Sequence, residues 1–196
     1  MPITQTGKKS VSKNISRRVL LMTTAPPENG AWYLGKRLPP IGLMYVAAAL
    51  EKAGFVVQML DNYLMKKSFQ EVKELITTFD PAIVGITCGS ATYTRCIETA
   101  KVIKQAKPEC YIIVGGWHAS YLPDTLLQHP EIDYVVMGEG ERAIKQLASV
   151  LVNGNINEVQ SLSGVAYRGK NEVIKNPPTY IENMDELPYP ARHLLP

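Results

Sequence analysis

The chemistry of this chain concentrates in three short stretches, "TCGS" at 87–90, "GGWHAS" at 115–120 and "GEGE" at 138–141. Each sets a hydroxyl, thiol, imidazole or carboxylate beside glycine, the residue that lets a backbone approach a ligand closely. His118 has the chemistry of a transition-metal ligand or of a hydrogen-bonding contact. Cys88 reads as a metal-binding thiol or as a packed core residue. Glu139 and Glu141 read as catalytic carboxylates. In the simpler alternative Gly138, Glu139 and Gly140 lie against a ligand, and Glu141 is the acid that suits the first turn of a helix. Cys88, Cys96 and Cys110 show no C-x-x-C or C-x-x-x-C-x-x-C spacing, so neither a disulfide framework nor a self-contained metal or iron–sulfur site is encoded.

These stretches matter only if one architecture brings them together. Five short apolar runs, Val19–Thr23, Phe55–Leu60, Ile83–Thr87, Tyr111–Val114 and Tyr134–Met137, alternate with helix-like segments at 42–53, 69–79, 91–106, 122–129 and 140–152. Strands that are almost continuously Val, Ile and Leu are covered on both faces, and alternation with helices makes their sheet parallel. The expected fold is therefore a doubly wound α/β domain. Gly54, Asp80-Pro81 and Pro108 supply the helix stops. Next, Gly164–Arg168 and Glu172–Lys175 flank "GKN" as a β-hairpin, and the Pro-rich segment from 177 to 196 reads as a linker.

In an open parallel sheet, ligands bind outside the carboxyl ends of the strands. The loops there are 24–40, 61–63, 88–90, 115–120 and 138–141, which include all three stretches. The first loop is long for a strand-to-helix connection and carries Trp32, Tyr33, Lys36 and Arg37 among prolines and glycines, as a lid or ligand floor does. Common nucleotide sites fail on particular residues. "TTAPPENG" after the first strand is not G-x-G-x-x-G, no G-x-x-x-x-G-K-[ST] occurs, and Thr87 and Cys88 stand where a phosphoacceptor receiver needs aspartate. Pro26-Pro27 interrupt the hydroxyl-rich turn of a flavodoxin phosphate loop.

The chain has 196 residues, 45% apolar and 20% charged, enough for one α/β domain with a core. Much of its net charge of +3 lies in the first eighteen residues, which read as a basic tail; the remainder is near neutral, against a nucleic-acid platform. The apolar run Val19–Met22 is too short for a signal-peptide core or a membrane span, so a cytoplasmic protein is expected.

Four ordered motifs, "PPIGLMYVAAALEKAGFVVQMLD", "DPAIVGITCGS", "IIVGGWHAS" and "IDYVVMGEGE", followed by "ELPYPARHLLP", give the chain a family likeness. From about residue 18 to 196 it resembles the N-terminal cobalamin-binding domain of class B radical S-adenosylmethionine enzymes. That group includes the anaerobic magnesium-protoporphyrin IX monomethyl ester cyclase and many methyltransferases. The resemblance implies a flavodoxin-like five-stranded parallel sheet over 19–154, with the hairpin (155–176) and the linker (177–196) leading to a radical domain. It implies cobalamin at the carboxyl edge, with the dimethylbenzimidazole tail beside the third and fourth strands. Thr87 and Gly115-Gly116 match the family's hydroxyl and Gly-Gly positions. The cofactor-binding set it implies is Trp32, Tyr33, Thr87, Cys88, Gly89, Ser90, Gly115, Gly116, Trp117, His118, Gly138, Glu139 and Gly140.

One departure is specific. The D-x-H-x-x-G motif whose histidine ligates cobalt from below is absent, since no His or Asp occurs after the first strand until Asp61. Cobalt is then expected without a histidine ligand, over the first loop and facing Trp32 or Tyr33. His118, on the fourth strand's loop, is expected as a hydrogen-bonding contact and not as that ligand. The resemblance also implies a [4Fe–4S] cluster and S-adenosylmethionine in a radical domain outside this chain, which alone would not catalyse. Two alternatives stay open: a module of the same fold with a scaffold or interaction role and no cobalamin, and a small-molecule or nucleotide sensor.

Overall fold

The computed structural model describes residues 16–26 and 38–195. Its elements are β1 (Arg18–Thr23), α1 (Ile41–Lys52), β2 (Val56–Leu60), α2 (Asn62–Met65), α3 (Phe69–Phe79), β3 (Ile83–Thr87), α4 (Tyr93–Ala106), β4 (Tyr111–Gly115), α5 (Trp117–Tyr121), α6 (Pro123–Leu127), β5 (Tyr134–Val136), α7 (Gly140–Asn153), β6 (Val165–Arg168) and β7 (Val173–Lys175). Trp32 and Tyr33, with most of the long first loop, lie outside the described residues.

The sheet runs β2-β1-β3-β4-β5-β6-β7. Its first five strands are parallel, as their apolar runs predict, and the order reverses between β1 and β3, the switch point at which open α/β sheets hold ligands. The hairpin continues this sheet: β6 pairs antiparallel with β5, and β7 with β6.

Strand periodicity divides the core into two layers. Val19, Leu21, Ile83, Ile113 and Val136 face α1 and α7. Leu20, Met22, Val84, Ile86, Ile112, Val114 and Val135 face the layer of α3, α4 and α6. Local signals explain the helix ends. Ser68 and Glu71 form a capping box at the start of α3, and Gly154 takes a left-handed conformation (φ 76°) to stop α7.

The short helix expected at 122–129 is α6, and a further one, α5, precedes it where a loop is expected, beginning at Trp117 directly out of β4. Gly116, at φ 98°, turns the chain there without a linker. Pro123 then separates the pair, because a residue before proline is pushed out of helical geometry and Leu122 adopts φ −131°, ψ 51°. The segment from 177 to 195 is a strap laid on α1 and α7. Ser163 Oγ donates to Pro177 O (2.6 Å), Ala191 N to Met44 O (3.1 Å), and His193 Nε2 lies 3.0 Å from Glu51 Oε1. Ala191 is buried, and Leu194 and Leu195 pack on the α1/α7 core. Among the described residues no helix is long and apolar enough to cross a membrane.

Candidate functional site

Small residues on one face of two adjacent strands open a cavity at the sheet's carboxyl edge. Parallel register aligns Leu21 with Gly85 and Gly85 with Ile113, and two residues further along aligns Thr87 with Gly115. Gly85, Thr87 and Gly115 all point to the α1/α7 side, where Ile, Val or Leu would otherwise fill the layer. The result is a cavity of about 430 Å³ between the sheet, α1 and α7. Pro40, Ile41, Leu43 and Val46 form its α1 wall, Ile144 and Glu141 its α7 wall, and Trp117, Gly138 and Glu139 its rim. Trp117 is 78% exposed there.

Gly85 lies inside β3 and not at its end, and glycine inside a run of β-branched residues marks a close approach. A β-carbon on it would lie 2.6 Å from Leu21 Cδ2. Gly115 and Gly116 do different work. A β-carbon on Gly115 would make ordinary contact with Val136 O at 3.7 Å, so Gly115 simply leaves cavity space. A β-carbon on Gly116 would fall 2.8 Å from Cys88 O and 2.9 Å from Thr87 Oγ1. Its clearance is therefore used by the chain itself, which joins the ends of β3 and β4 through Cys88 N to Gly115 O (2.8 Å) and His118 N to Cys88 O (3.1 Å).

Thr87 Oγ1 makes no hydrogen bond with a described residue, and Thr87 lines the cavity. The neighbouring Thr23 hydroxyl is by contrast fully engaged, donating to Asp61 Oδ1 (2.9 Å) and accepting from Tyr63 N (2.8 Å). That pair ties the end of β1 to the loop after β2. A hydroxyl without a partner among the described residues, set between mostly apolar walls, is the group that a single polar atom of a ligand would meet.

Thr87, Gly115, Gly116, Trp117, Gly138, Glu139 and Gly140 thus share one cavity, while Cys88, Gly89, Ser90 and His118 lie beyond its lining. Cys88 is buried in the opposite core layer. There the Cys96 thiol donates to its sulfur, which draws the Cys88 thiol down and, with burial, pushes Cys96 up. Cys110 is pushed up to about 12 by burial and is inert as a nucleophile. His118 is also inside: Nδ1 lies 3.3 Å from Ser90 Oγ, Nε2 lies 3.0 Å from Thr125 Oγ1, and the ring stacks at 4.7 Å on Tyr93. Because Thr125 Oγ1 donates to Leu122 O (2.8 Å), the network assigns the proton to Nε2 and leaves Nδ1 to accept from Ser90. Burial lowers the His118 pKa, so it is neutral at neutral pH. His129 Nε2 pairs with Tyr93 Oη at 2.8 Å and His193 with Glu51, so none of the three histidines lines the cavity.

The comparison that decides the family is with the B12 binding domain, whose model matches residues 33–148. The chain belongs to the B12-binding domain family. The family's relatives agree in kind. An uncharacterized methyltransferase of Pyrococcus horikoshii is 32% identical over 90% of this chain and 39% of its own length. The anaerobic magnesium-protoporphyrin IX monomethyl ester cyclase of Synechocystis is 26% identical over 86% of this chain and 34% of that protein. The chain therefore spans little more than a third of these relatives. Among solved structures, the cobalamin-dependent S-adenosylmethionine radical enzyme OxsB, with aqua-cobalamin and S-adenosylmethionine bound, matches with a TM-score of 0.75 at 17% identity, covering 90% of this chain and 24% of that one. At that identity the likeness is one of fold, and the fold is the flavodoxin-like arrangement of a cobalamin-binding domain.

The residues present fit the family's cofactor. The cavity lies at the switch-point edge, its walls are mostly apolar, Gly115 leaves space against the sheet, and the Thr87 hydroxyl, unpaired among the described residues, stands within it. A planar, largely apolar group with a polar atom on its edge meets those conditions.

Proposed function

We propose that this chain holds cobalamin as the N-terminal module of a radical S-adenosylmethionine enzyme of the methyltransferase or cyclase type. The observation that carries the reading is the cavity in which Gly115 leaves open space beside the Thr87 hydroxyl, which has no partner among the described residues. On this reading Thr87 meets a polar atom of the cofactor's nucleotide tail, and Gly115 leaves room for the planar base. Trp117, Gly138, Glu139 and Gly140 border the mouth. His118 acts at one remove, joining Ser90 to Thr125 and so fixing the loops after β3 and β4.

Cobalamin would supply a redox-active cobalt in a planar macrocycle. The chain's part is to bind and orient that group and to leave one face of it accessible. The D-x-H-x-x-G sequence is lacking, and His118, His129 and His193 are each engaged away from the cavity, so on this reading the cofactor would be held without a histidine ligand. A [4Fe–4S] cluster and S-adenosylmethionine belong, in this reading, to a radical domain of the whole protein.

Electron paramagnetic resonance of the chain loaded with cob(II)alamin tests the ligand assignment. A spectrum without axial nitrogen splitting is expected. A three-line nitrogen splitting that vanishes when one histidine is replaced would overturn it.

A further inference from the structure

Glu141 stands in the wall between two cavities. It lines the cavity at the sheet edge, and it lines a second one of about 320 Å³ that opens between α1, α7 and the strap. From sequence it is a candidate catalytic carboxylate or an acid suited to the first turn of α7. The structure gives it a different environment, because it has no counter-ion among the described residues. Its carboxyl accepts from its own backbone N–H and forms no bond with any other described residue.

The charged groups around it leave that carboxyl unsatisfied. Arg142, next in sequence, faces Glu186 of the strap at 3.7 Å. Lys52 and Lys145 line the second cavity and form no ion pair with it. Glu139 is close enough to repel it, and burial, the larger effect, raises its pKa further. A half-buried acid with no partner is costly unless a ligand supplies one.

The chemistry of that partner is narrowly set. A side-chain carboxylate of the ligand set against Glu141 would also meet Glu139, and like charges inside a low-dielectric site repel strongly. A carboxamide suits either protonation state of Glu141, donating its N–H to the carboxylate or accepting through its carbonyl from the neutral acid. We propose that Glu141 is a specificity-determining contact that selects a carboxamide of the ligand over the corresponding carboxylate. This rests on the cobalamin reading, because the corrin ring carries carboxamide side chains at its edge.

Equilibrium dialysis of the 196-residue chain against hydroxocobalamin and against each of its singly hydrolysed side-chain carboxylates tests it. The wild-type chain is expected to bind at least one carboxylate about tenfold or more weakly than the amide, and Glu141→Gln to reduce that ratio to about twofold. Glu141→Ala should reduce it equally, so that either variant decides if the other does not fold. Wild-type affinities equal for all the ligands, or a ratio unchanged in the folded variants, would overturn the assignment while leaving cobalamin binding intact. Absence of binding by every corrin, wild type included, would overturn the cobalamin reading and this inference with it.

Discussion

Glu139 Oε2 accepts a 2.6 Å hydrogen bond from the backbone N–H of Ile181, so a residue on the cavity rim also anchors the strap. The contact links the place where a ligand enters to the segment that follows the hairpin. Glu139→Ala should release it. A charge-assisted bond of this kind contributes about 1.5–3 kcal/mol, so amide exchange at Ile181 should accelerate tenfold or more, while Glu139→Gln keeps most of the protection. Exchange at Ile181 unchanged in Glu139→Ala would show that the strap is held by its other contacts alone.

Gly116 and Gly115 should separate folding from binding. Gly116→Ala places a methyl group against Cys88 O and Thr87 Oγ1 at a φ of 98°, and about 2–3 kcal/mol of stability should be lost, read as a lower denaturant midpoint. Gly115→Ala makes an ordinary contact and should fold normally, yet its methyl group occupies the cavity and should weaken ligand binding.

Thr87→Val keeps shape and removes the hydroxyl. Because that hydroxyl has no described partner, the free chain should be as stable as wild type or slightly more so. Cobalamin should bind about tenfold more weakly, the effect of one lost hydrogen bond, and Thr87→Ser should restore much of the difference.

How far these features are visible from sequence differs by element. The five parallel strands are legible because strands buried on both faces must be continuously apolar, as in Ile83–Thr87 and Tyr111–Gly115. Thr87 and Gly115 are legible too, by their place at strand ends. The inward turn of His118 is not, because it depends on the φ of Gly116, which aims α5. The strap is equally hidden, since single anchors such as Ala191 N to Met44 O leave no periodic pattern. Glu141 is legible as a carboxylate of the loop after the fifth strand, but its position between two cavities is not.

His118 should make stability depend on pH. Burial holds its folded pKa below the ordinary value of about 6.5, so the unfolded chain takes up the proton first. Its effect is therefore nil above that value, appears as a loss of stability when the pH falls through it, and levels off below the native pKa. Urea midpoints at pH 7.5 and 5.5 should differ more for wild type than for a folded His118→Gln variant. An identical difference in both would place the pH dependence elsewhere.

The most direct measurement of the central claim is the absorbance spectrum of the chain after incubation with hydroxocobalamin and gel filtration. The account predicts corrin bands that co-elute with protein at one equivalent per chain and are weakened by Thr87→Val and Gly115→Ala. Protein that elutes without corrin absorbance, from a sample shown to be folded, would contradict it.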